Sequence, residues 1–130
     1  MERHTIFDWS RKARTGIPEA VFAEGKALSH LHDVIREHID RNAPLLITRL
    51  TPAQIDGLRD LPLSVDDLGR TATLDAPEPD HDAPVVAIVT AGTSDLSVAR
   101  EAEVAANFMG LRTELIADVG VAGLWRLEAH

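Results

Sequence analysis

The densest apolar run in the chain is Val85 to Val89, where four of the residues are β-branched and Pro84 stands at the start. It is too short for a helix and predicts a strand buried on both faces, as in a parallel sheet. A small polar turn follows, Ala91-Gly92-Thr93-Ser94-Asp95, and then the period changes. Ala102, Ala105, Ala106 and Met109 recur at i, i+3, i+4 and i+7, a face of small residues suited to close packing on a sheet. Gly110 supplies a left-handed stop. Strand, glycine-bearing turn and helix make up the unit whose backbone N–H groups and helix N-terminus hold anions. A phosphate or carboxylate pocket at Gly92–Asp95 is therefore expected.

Upstream, the helical period is clear from Ala27 to Asn42, with Leu28, Leu31, Ile35 and Ile39 on one stripe. His30, His32 and His38 lie on this helix and read as surface residues. His30 and His32 point about 200° apart and cannot share a metal ion. A short strand, Pro44 to Leu50, ends in Thr48-Arg49, at the carboxyl end where open α/β sheets put ligands. Arg49 is either a ligand contact or the partner of an acidic neighbour. Thr51, Pro52 and Gln54 are the parts of a capping box, and the helix they open turns Ile55, Leu58 and Leu61 inward before stopping at Pro62. Val65 to Leu74 is ambiguous in pattern; a short helix and then a strand at Thr71–Leu74 is the reading taken. A further short strand is expected within Glu19–Ala23.

Asp75 to Pro84 (DAPEPDHDAP) alternates proline and acid without apolar period and marks an exposed linker. The expected organisation is a unit over residues 1–74, the linker 75–84, and a second unit over 85–130. The second holds one more strand, Thr113–Ala117, and a second glycine loop, Asp118 to Gly123, with Arg126 behind it as an anion clamp. Two strands and one crossover helix leave sheet edges uncovered, so this unit reads as unfinished.

Composition narrows the function. The formal net charge of −8 argues against nucleic acid and against an anionic membrane surface. In such an acidic chain the cluster Arg11, Lys12 and Arg14 stands out as a collector of anionic substrate, although a solvated surface is the more ordinary reading. There is no cysteine, hence no disulfide, thiolate zinc site or thiol nucleophile. The first residues lack the apolar core of a signal peptide, and no apolar run approaches the roughly 20 residues of a membrane helix. A soluble cytoplasmic protein is expected.

The run VTAGTSDLSVAREAE, followed by MG and then ADVGVAGLWR, resembles the opening of the AIR-carboxylase-like (PurE-type) domain, in the version found in the LarB family. Arg11 and Arg14 before Gly16-Ile-Pro18-Glu19, then Gly25-Lys26 and Thr48-Arg49-Leu50, agree with that family's N-terminal region. The resemblance implies an α/β protein: a small N-terminal α/β unit, then the first part of a three-layer, parallel-sheet, flavodoxin-like domain. It implies a carboxylase and hydrolase that adds CO2 or bicarbonate to the pyridinium ring of nicotinic acid adenine dinucleotide and releases AMP. The product is the biscarboxylated precursor of the nickel-pincer cofactor. No tightly bound cofactor is implied, and magnesium is a candidate companion ion.

By the same resemblance, Gly92, Thr93, Ser94 and Asp95 lie against the nucleotide phosphate and the carboxylated ring, with Asp95 holding ribose hydroxyls or a proton. The loop Gly120-Val121-Ala122-Gly123 closes over the same site, and Arg126, Arg49, Lys26 and Arg14 complete the ligand set. The family assembles as homo-oligomers through this domain. Two departures are visible: the family's cysteine nucleophile has no counterpart among these residues, and Trp125 stands where many members have histidine. The leading expectation is thus the N-terminal part of a LarB-type enzyme. A relative of the purine-pathway carboxylate mutase and a non-catalytic nucleotide-binding or assembly module are the alternatives.

Overall fold

The computed structural model describes residues 20–117. The chain divides into two compact units, Met1–Ala76 and Pro77–His130, within the Pro-rich acidic segment. Both combine helices with strands, including parallel strand pairs, as a small α/β protein does.

The first unit holds a four-stranded mixed sheet in the order β1-β2-β4-β3. Its strands are β1 (Val21–Phe22), β2 (Leu45–Thr48), β3 (Ser64–Asp66) and β4 (Thr71–Leu74). β1 runs parallel to β2, and the other pairs are antiparallel. Helix α1 (Leu28–Arg41) crosses over between β1 and β2, and α2 (Pro52–Leu58) follows β2. Leu31, Val34 and Ile35 of α1 pack with Ile55 and Leu58 of α2 against Val21, Leu45, Ile47, Ala72 and Leu74 of the sheet. Strand alternation puts those last five on one face.

The inward stripe of α1 is Leu31, Val34, Ile35 and His38, rotated from the expected one. Leu28 and Ile39 are partly exposed, and His38 is not a surface residue: it is 1% exposed. Position 38 is i+7 from Leu31, so it falls on the core face whatever its polarity. Its Nδ1 sits 2.7 Å from the Val34 carbonyl oxygen, where Nδ1–H donates. Burial holds the imidazole below its ordinary pKa. His32 Nε2 lies 3.2 Å from the Gly57 carbonyl of α2. The Leu28 methyls sit where a side chain at position 57 would begin, so glycine there lets the two helices approach.

The capping box forms as expected. Thr51 Oγ1 accepts from the Gln54 N–H at 3.2 Å, and Gln54 Oε1 accepts from the Thr51 N–H at 2.8 Å. Residues 64–66 are strand rather than the expected helix: Ser64, Val65 and Asp66 pair with Thr73, Ala72 and Thr71. The Asp66 carboxylate accepts from the Gly69 N–H at 3.0 Å and closes the hairpin, a local bond that competes with helix.

In the second unit β5 (Val85–Val89) pairs in parallel with β6 (Arg112–Ile116), joined by a 3₁₀ turn, Thr93–Asp95, and helix α3 (Leu96–Phe108). β5 is not buried on both faces: Val85 is 53% and Val89 51% exposed. Among the described residues β5 has one strand neighbour, which leaves an edge open. The covered face of α3 also differs from the alanine stripe. Ala99 and Phe108 are buried, while Ala102 and Met109 are exposed. Glu103 and Asn107 meet β6 instead, both accepting from Thr113 Oγ1, at 3.4 and 3.1 Å, and Arg100 pairs with Glu103. Gly110 does stop the helix, with φ 90°. The Leu111 N–H reaches Ala106 O and the Gly110 N–H reaches Asn107 O, a Schellman closure.

Candidate functional site

The β5–α3 connection carries four of the expected site residues on one exposed turn. Thr90, buried, extends the ladder through its N–H to Ile116 O at 2.9 Å, and the chain then leaves the sheet at its carboxyl end. Gly92 accepts from the Asp95 N–H at 3.3 Å, and the Leu96 N–H bonds Thr93 O. Thr93, Ser94 and Asp95 are exposed, and α3 begins at once behind them. Asp95 occupies the N-cap position without capping the helix through its side chain.

Gly92 is informative because nothing in the fold requires it. Its φ of −151° and ψ of 174° are ordinary extended values open to any residue, and an added Cβ would meet no atom within 4 Å. The turn is a concentration of small groups, a hydroxyl pair and one carboxylate next to a helix start, with open space where a ligand would approach.

The first unit gathers a second group of expected residues at the carboxyl ends of β1 and β2. Gln54 Nε2 donates to both Ala23 O and Lys26 O, at 2.9 Å each, which ties the Gly25-Lys26 loop to the start of α2. Arg49 follows β2 in a left-handed conformation, φ 62°, and its guanidinium is 3.9 Å from the Glu24 carboxylate, both exposed. Both alternatives for Arg49 thus meet at one place: it has an acidic neighbour, and it stands at a strand end. Arg70, which the sequence did not single out, has φ 56° in the next strand's approach. Its Nε–H donates to Leu50 O at 2.6 Å, and the Leu50 N–H donates to Arg70 O at 3.0 Å. That clamp joins positions far apart in sequence and leaves no local signal.

Arg14, Gly120, Val121, Ala122, Gly123 and Arg126 lie outside the described residues, as do Arg11, Lys12 and Trp125. Among the described residues no group of three or more His, Cys, Asp or Glu could hold a metal ion. No described helix is long and apolar enough to cross a membrane.

The class defined by these elements is a small α/β protein with parallel strand pairs joined through helices. Residues 2–76 match the LarB/PurE-like N-terminal domain, and the chain belongs to that family. It is also 30% identical, over 135 aligned positions, to an uncharacterized protein of Methanocaldococcus jannaschii. The alignment covers 98% of this chain and 53% of that protein, so the chain spans about half the length of the curated relative it matches.

Proposed function

We propose that the chain supplies the nucleotide-phosphate site of a LarB-type carboxylase and hydrolase, whose substrates are nicotinic acid adenine dinucleotide and CO2 or bicarbonate. The family match over residues 2–76 supports the relationship. The observation that carries the site is the turn itself: Gly92 unconstrained by the fold, followed by exposed Thr93, Ser94 and Asp95 and the start of α3.

In this reading the phosphate of the nicotinate nucleotide lies across Gly92–Ser94. Backbone N–H groups and the Thr93 and Ser94 hydroxyls donate to it, and the positive end of α3 adds to the attraction. Asp95 accepts from ribose hydroxyls or holds a proton during carboxylation. Ring attack by a thiolate is not available from these residues, which include no cysteine. Asp95 is the single carboxylate of the turn, and a magnesium ion bound through substrate phosphates asks for one or two carboxylates besides water. The described residues build no metal cage.

Titration calorimetry with nicotinic acid adenine dinucleotide tests this proposal. Ser94→Ala should weaken binding about tenfold, the worth of one hydrogen bond to a charged group. Equal affinity in the variant and the unmodified chain would remove the hydroxyl from the site. The exposed Val85, Val86 and Val89 support a second reading, a non-catalytic nucleotide-binding module completed by self-association. Sedimentation of the chain as a monomer at all concentrations would sink that alternative.

A further inference from the structure

We draw no further inference here: the strongest candidate, the exposed apolar patch of Val85 and Val89 on one face of the β5–β6 sheet, carries nothing because nothing in the structure shows what covers it.

Discussion

Replacing Gln54 should cost more than a helix cap is ordinarily worth. A lost N-cap side chain costs about 1 kcal/mol. Gln54 does more than cap: Oε1 accepts from the Thr51 N–H at 2.8 Å, while Nε2 donates to Ala23 O and Lys26 O at 2.9 Å each. At a net worth near 1 kcal/mol per bond, Gln54→Ala removes about 3 kcal/mol, discounted to about 2 because the side chain is only partly buried. Thr51→Ala, which loses only the Oγ1 acceptor, should cost about 1 kcal/mol. Gln54→Glu separates the roles. It keeps an acceptor for Thr51 but sets a carboxylate oxygen against two carbonyl oxygens, so it should be no better than alanine. Urea denaturation of the four proteins, followed by far-UV circular dichroism, gives the comparison. If Gln54→Ala costs no more than Thr51→Ala, the tie between α2 and the Lys26 loop contributes nothing and the reasoning fails.

Acid should weaken the first unit through His38. Its folded pKa is lowered by burial, so the unfolded chain binds the proton more readily. Stability is then fully present above the unfolded pKa near 6.5 and falls as pH drops from there toward the folded value. His38→Leu should flatten that part of the stability curve, and an unchanged slope in the variant would assign the effect elsewhere. The segment Asp75 to Pro84 is exposed at eight of its ten positions, so limited proteolysis should cut it first. Protection of the whole decapeptide would contradict its role as a linker.

Local chemistry was the most legible part of the chain. The Thr51-Pro52-Gln54 cap and the Gly110 stop depend on residues within a few positions, so the sequence carries them completely. The α1 period was visible, but its phase was set by apolar residues alone, which sent His38 to the surface although Leu31, Val34 and Ile35 point its position inward. Residues 64–66 became strand because Asp66 closes a turn and Val65 finds Ala72, a pairing that no window over the segment contains. The Val85–Val89 run did form a strand, yet its burial depends on neighbours beyond β6 and α3. The alanines of α3 carry little phase information, since a small residue fits either face, and the helix settles through Ala99, Glu103 and Asn107 instead. At the candidate site, Gly92–Asp95 was readable as one contiguous motif. Arg70 was not, because its partner Leu50 lies in another loop.

The most direct test of the central claim is the affinity of Gly92→Val for nicotinic acid mononucleotide, measured by calorimetry beside the unmodified chain. The backbone at Gly92 is extended and an added Cβ meets nothing, so the variant should fold and melt as the unmodified chain does. The isopropyl group would nevertheless occupy the space where the phosphate must approach the backbone. The account predicts an unchanged melting temperature together with lost nucleotide binding. Retained affinity in a variant that melts normally would contradict it and place the nucleotide away from this turn.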